Sequence, residues 1–217
     1  MGYLPGDLRL PGDLTGRQVL DRCSVGRRDP GSQRDELTSA LDVPLDVAVA
    51  ALSKGNRQKL GIVQALMSRP RVLLLDEPTS GLDPLSRDVL EQLVRAAADG
   101  GAAVLLSSHV LREVQRVADR VVMLRAGQVI AAARLDDLRA AAPLDVTVEL
   151  ADPEARDRMR RVPGVADVVT TGDRLSFTVP AASLPALLSA LAAEQVVDVS
   201  ITPAGLDALF RHVYQVA

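Results

Sequence analysis

The apolar residues of this chain change period several times, and each change predicts an element. Between Met1 and Gly31, Gly, Pro and Asp interrupt any pattern. Only a short helix over Thr15–Cys23 is expected there, with no strand inside a sheet. Arg27–Ser32 reads as a loop, because Pro and Gly punctuate it, and Asp35–Leu41 as a second short helix. Over Asn56–Ser68, Leu60, Val63, Leu66 and Met67 recur at helical spacing, and Pro70 ends the run. Val72–Leu75 is then a continuous apolar stretch. Such a stretch predicts a strand buried on both faces of a parallel sheet. Pro84–Ala98 is helical and stops at Gly100-Gly101. Ala102–Leu106 repeats the buried-strand pattern, and Val110–Asp119 is helical again. Val121–Leu124 and Gln128–Ala132 flank Ala126-Gly127 as a hairpin. The alternation of strand and helix predicts an α/β sheet.

Ala140-Ala141-Ala142-Pro143 breaks the composition. Beyond it the predicted elements are strand Val146–Leu150, helix Pro153–Arg161, strands Val165–Thr170 and Leu175–Val179, helix Leu184–Ala193 and strand Val196–Ile201. That βαββαβ order is the ferredoxin-like arrangement. A last helix is expected over Gly205–Tyr214. Two domains follow, residues 1–140 and 144–217.

Composition changes this picture little. The 217 residues are long enough for a hydrophobic core, and aromatics are so scarce that Leu, Val and Ala must build it. A net charge of −3 gives no electrostatic reason to expect nucleic acid as a partner. Lys54 and Lys59 are the only lysines, and the arginines form no cluster that would make an anion site. With Cys23 as the single cysteine, no internal disulfide can form. Met1–Leu14 lacks the basic start and apolar run of a secretion signal, and no apolar stretch is long enough to span a bilayer. The chain is expected to be soluble by itself and to need another chain to hold it at a membrane.

The candidate chemistry gathers at strand ends. Asp76-Glu77 closes the first apolar strand. Ligands of open α/β sheets bind at such ends, where one acid can hold Mg²⁺ through water and the next can deprotonate an attacking water. Alone, the pair also admits the lesser reading of a solvated turn. Leu52-Ser53-Lys54-Gly55-Asn56 opens the helix upstream. Ser53 and Gly55 place a hydroxyl and approachable backbone N–H groups at its positive end, although Ser53 alone would be an ordinary cap. Pro78-Thr79-Ser80-Gly81-Leu82-Asp83 continues directly from the acidic pair, and Ser107-Ser108-His109 ends the second apolar strand.

In this order and spacing the four features resemble those of the ABC ATPases. Leu52–Asn56 is similar to their signature motif, with Asn56 in place of the usual Gln. Leu73–Glu77 resembles the Walker B strand with its catalytic glutamate, Ser80–Asp83 the D-loop, and His109 the switch histidine. The likeness extends to about Leu135, through the hairpin from Asp119-Arg120-Val121 to Gly127-Gln128-Val129. Gly2–Asp7 resembles the Q-loop region, with Gly6 where the usual Gln stands, so that its Mg²⁺ contact is absent or passed to Asp7. Val196–Tyr214 resembles the C-terminal appendix of bacterial drug- and antibiotic-exporter ATPases.

The resemblance implies a partial P-loop NTPase fold followed by the ferredoxin-like domain. It implies ATP and Mg²⁺ as ligands, with Glu77 as general base, Asp76 as metal ligand and His109 on the γ-phosphate. Ser53, Lys54, Gly55, Asn56 and Asp83 would bind nucleotide across a head-to-tail dimer, formed with a second copy or another cassette. A membrane permease, gripped by the helical region before Leu52, would be the partner, and the cytoplasmic face of the cell membrane the location. No Gly-x-x-x-x-Gly-Lys-Ser/Thr occurs in the sequence. The family needs that loop to cradle phosphates, so an N-terminally truncated chain with weak or no ATP binding is expected. The other reading is a non-catalytic module that lends its signature motif to an intact cassette. An ATPase of DNA repair or translation fits less well, for want of coiled coils or paired cassettes.

Overall fold

The computed structural model describes residues 1–25 and 31–203, and the chain divides into two compact units, Met1–Val117 and a second from Ala118 onward. The division falls upstream of the Ala140–Pro143 break, because the hairpin after residue 118 groups with the C-terminal sheet. The helix expected over Gly205–Tyr214 lies outside the described residues, as does most of the Arg27–Ser32 loop.

In the first unit, β1 (Gly2–Leu4), β2 (Val72–Asp76) and β3 (Ala103–Ser107) form a parallel sheet in the order β1-β2-β3. Strand β1 corrects the expectation of no strand near the N-terminus. Three residues are too few to display a period, and pairing with β2 defines the strand, with Tyr3 opposite Leu74. Gly2 is required by closeness: a Cβ there would lie 2.1 Å from the Ala65 carbonyl oxygen.

The helices of this unit are α1 (Gly16–Ser24), α2 (Gly31–Ala40), α3 (Lys54–Leu66), α4 (Pro84–Asp99) and α5 (Leu111–Val117). Thr15 starts α1 with a capping box, its hydroxyl accepting from the Gln18 N–H while the Gln18 side chain accepts from the Thr15 N–H. Helix α2 begins at Gly31, earlier than the sequence predicts, and takes in Ser32 from the expected loop. Ser53 caps α3, and Asp83, followed by Pro84, caps α4.

One face of the sheet is buried. Leu4, Leu73 and Leu75 pack into a core with Leu60, Ile62 and Val63 of α3 and with Leu90 and Val94 of α4. The other face carries Tyr3, Val72, Leu74 and Leu105, of which Leu105 is 69% exposed and Tyr3 53%. The expectation that β2 and β3 are buried on both faces is therefore corrected: they alternate, with one row covered and the other open.

In the second unit, β4 (Arg120–Arg125) and β5 (Gln128–Arg134) form an antiparallel hairpin. Its turn uses Ala126 and Gly127 at positive φ, 48° and 78°. A short helix that the sequence pattern did not predict, α6 (Leu135–Ala141), follows. Strands β6 (Leu144–Leu150), β7 (Ala166–Thr171), β8 (Arg174–Val179) and β9 (Val196–Pro203) then form an antiparallel sheet in the order β7-β8-β6-β9. Helices α7 (Pro153–Arg160) and α8 (Leu184–Ala192) connect them, which gives the predicted ferredoxin-like topology. The inward positions Val146, Val148, Leu175 and Phe177 pack with Met159 of α7 and Leu187 of α8. Arg158 fastens α7 through Asp152 (2.7 Å) and Glu194 (2.6 Å).

Candidate functional site

The first cluster forms at the C-terminal end of the parallel sheet. Register places Asp76 of β2 opposite Ser107 of β3. The Asp76 carboxylate accepts a short hydrogen bond from the Ser107 hydroxyl and a longer one, 3.3 Å, from the Gly6 backbone N–H. The Q-loop-like segment thus reaches Asp76 through its backbone. The Asp7 carboxylate is exposed and pairs with Arg9 at 2.8 Å. An added Cβ at Gly6 would lie 2.9 Å from Asp76 Oδ2, so this approach leaves little room for a side chain.

Glu77 follows in the left-handed region at φ 47°, a conformation that costs about 1–3 kcal/mol for a non-glycine residue and recurs at functional sites. Several hydrogen bonds hold it there. Its N–H donates to the Ser107 carbonyl (3.2 Å) and hydroxyl (3.0 Å). Its carbonyl accepts from the Ser80 N–H (3.1 Å) and from the buried Gln58 side chain (3.3 Å), which also donates to the Pro78 carbonyl at 3.0 Å. Its carboxylate Oε2 lies 2.8 Å from His109 Nδ1. The hydrogen bond to Glu77, and then the Glu77 charge, raise the His109 pKa above the ordinary histidine value; slight burial opposes this and Glu113 adds to it. The imidazole remains largely exposed, with Glu77 beneath it about one-third exposed.

The second cluster joins the start of α3 to the loop before α4. Ser53 Oγ accepts from the Asn56 N–H at 3.1 Å. Gly55 lies against Gly81, whose φ is 78°; a Cβ at Gly55 would sit 2.7 Å from the Gly81 carbonyl oxygen. Lys54 Nζ donates to Ser80 Oγ at 3.0 Å. Asp83 accepts from the Ser86 backbone (2.9 Å) and hydroxyl, with Lys59 3.5 Å away. The Ser86 bonds dominate and hold Asp83 down to about 2.

The predicted residues therefore fall into two groups of one unit: Asp76, Glu77 and His109 at the sheet edge, and Ser53, Lys54, Gly55, Asn56 and Asp83 around the α3 start. The sequence reading missed Gln58, whose signal was a polar side chain on a buried helical face, and Thr79, Lys59 and Glu113. Chemically, the first group offers a carboxylate beside an ionisable imidazole, next to a second carboxylate. Mg²⁺ takes one or two protein carboxylates and keeps several waters. Asp76, with lone pairs left after the Ser107 and Gly6 bonds, fits such a contact through water. No group of three or more metal-ligating side chains occurs among the described residues, and no described helix is long and apolar enough to cross a membrane.

Comparison with known proteins bears on the family and the fold. The family profile described as ABC transporter matches residues 3–80. The daunorubicin resistance ATP-binding protein DrrA3 of Streptomyces coeruleorubidus is 37% identical over 147 residues, covering 64% of this chain and 46% of its own length. Methionine and molybdenum import ATP-binding proteins also match. A solved ATP-binding subunit of an ABC transporter superposes with TM-score 0.58 at 32% identity, over 64% of this chain and 60% of its own. A dimeric ATP-binding cassette in a post-hydrolysis state with ADP and Pi gives TM-score 0.55 at 22% identity, over 62% of each chain, a likeness of fold. The chain spans about half the length of the curated relatives it matches, 44% and 46% for two of them.

Proposed function

This chain belongs to the ABC transporter ATP-binding family, and on that premise we propose that it forms the water-activating and cross-interface parts of an ATP-hydrolysing subunit. The subunit would drive export through a separate membrane permease. The observation that carries the reading is the Glu77–His109 pair, 2.8 Å apart, beside Asp76 at the C-terminal edge of a parallel sheet. Glu77 is the general base: its carboxylate accepts a proton from an attacking water while the left-handed backbone aims it away from the strand. His109, its pKa raised by Glu77, is held ready to donate a hydrogen bond to a phosphate oxygen. Asp76 would hold Mg²⁺, and the metal would supply positive charge to offset that of the phosphates. Ser53, Lys54, Gly55 and Asn56 face a nucleotide held by a second cassette, with Asp83 fixing the loop beside them.

The phosphate-cradling loop is not among these 217 residues. The open face with Tyr3, Val72 and Leu105 supports a cassette completed by a further segment, and the export assignment leans on the drug-resistance relative. Import relatives make the direction of transport the finer part of the proposal. The non-catalytic alternative, a module lending Ser53 and Gly55 to an intact cassette, predicts that Glu77 is idle. The deciding experiment fuses a phosphate-loop segment from a relative to this chain and measures single-turnover ATP hydrolysis. Glu77→Gln keeps the hydrogen-bonding shape but cannot take the proton, so hydrolysis falls about 10²–10⁴-fold while ATP binding persists. Equal rates for the parent fusion and Glu77→Gln would remove Glu77 as the base.

A further inference from the structure

Glu113, in the first turn of α5, is a carboxyl group inside the protein that no step above uses. Its residue is 8% exposed, and so is unusual for a glutamate. Oε2 accepts from the Thr79 hydroxyl at 2.7 Å and from the Ser108 hydroxyl at 3.1 Å. Oε1 makes no hydrogen bond and lies 3.8 Å from the Arg87 guanidinium of α4. The two hydroxyl donors occupy telling positions. Thr79 is two residues beyond Glu77, and Ser108 directly precedes His109. Ser108 Oγ also accepts from the Val110 N–H at 3.0 Å, so the hydrogen bonds of one hydroxyl bracket His109 along the chain.

We propose that Glu113 is a positioning residue for the Glu77–His109 pair: by accepting from Thr79 and Ser108 with a single oxygen, it ties the loop after β2 to the loop after β3 and sets the separation of the two side chains. The Glu77 N–H bonds to Ser107 join the backbones where the two loops start, but without this tie the side chains further along are joined by the Glu77–His109 contact itself, which is exposed on the imidazole side and open to competition from water. Burying a carboxyl group is costly unless it is satisfied, so the tie holds one arrangement of the two loops. A purely structural account would have Glu113 only anchor α5 beneath its neighbours. The two accounts differ in what His109 senses.

The inference deepens the ATPase reading and uses its residue roles, but its test needs no nucleotide. The ring signals of His109 are followed by NMR across pH in the full chain, with His212→Gln to remove the other histidine. Glu113→Ala and Thr79→Val each cut the tie, and Thr79→Val leaves the Glu113 charge in place. Both lower the His109 titration midpoint toward the ordinary histidine value, because Glu77 is no longer held beside it. Glu113→Gln, whose side-chain carbonyl can still accept from both hydroxyls, keeps most of the parent midpoint, and Thr79→Ser restores it. Parent-like midpoints in folded Thr79→Val and Glu113→Ala overturn the proposal. So does a drop in Glu113→Gln as large as in Glu113→Ala, since charge alone would then explain the effect. If Glu113→Ala fails to fold, Thr79→Val and Thr79→Ser decide between the same outcomes. A lowered midpoint together with a Glu77→Gln fusion that hydrolyses ATP normally would keep the tie and discard the general-base role.

Discussion

At the scale of single residues, the reactive side chains stand at strand ends, and the bonds that support them cross between loops. Asp76, Glu77 and His109 each follow an apolar run, and the parallel register then brings the ends together. Glu113 and Thr79 meet across 34 positions, and only the folded approach of two loops creates their bond. Asp83 was marked by its motif, yet its cause emerged from the structure: it caps α4 and is held down to about 2, chiefly by Ser86. A carboxylate depressed in the folded state contributes stability that is fully present above its unfolded value, near 4, and is lost as pH falls through the folded value near 2. Asp83→Asn can still cap the helix but has no charge to lose. In acid melts, the parent should therefore lose more stability than Asp83→Asn between about pH 4 and pH 2. Parallel profiles across that window would show that Asp83 has no such linkage.

At the scale of elements, length and apolar marking decided what could be read. Helix α4, with sixteen residues between Asp83 and Gly100, carries a cap, a proline and a stop signal, and the sequence predicted it closely. Strand β1 has three residues, too few for a period to accumulate, and helix α6, as long as the predicted α5, carries only Leu135 and Leu138 as large apolar residues to mark a face. The both-faced burial expected of β2 and β3 failed for a different reason: an apolar run states what a strand can tolerate, whereas neighbours decide which face is covered. Helix α1 shows local signals agreeing with packing. Its capping box satisfies N–H groups at the start, and Val19 and Leu20 enter the core one turn later. Thr15→Ala removes the hydroxyl acceptor and should cost about 1 kcal/mol. A urea midpoint shifted down with an unchanged slope is the expected result; an unshifted midpoint would mean that the strap from Leu45 to Val49, which bonds to Leu14, Gly16 and Arg17, fixes this end unaided.

At the scale of the molecule, two apolar clusters share no residue. One runs from Leu4 to Val94 and gathers the parallel sheet with α1 to α4; the other runs from Val146 to Leu191 and gathers the ferredoxin-like sheet with α7 and α8. The sequence predicted both folds but set their boundary at Ala140–Pro143, where composition changes. Composition records what the chain is made of, and the β4–β5 hairpin, whose strands pair only with each other, falls with the second unit. Separate cores imply separate energetics, because distant substitutions without shared neighbours act independently. Phe177→Ala empties a large volume between β8 and the two helices over it, at about 3–5 kcal/mol, and Leu60→Ala costs the first core about 2–5 kcal/mol. In denaturant titrations followed by amide NMR signals of each unit, Phe177→Ala should lower only the second transition and Leu60→Ala only the first. A single transition that both substitutions lower together would mean that the two cores fold as one cooperative body, and the division after Val117 would then describe geometry without energetic independence.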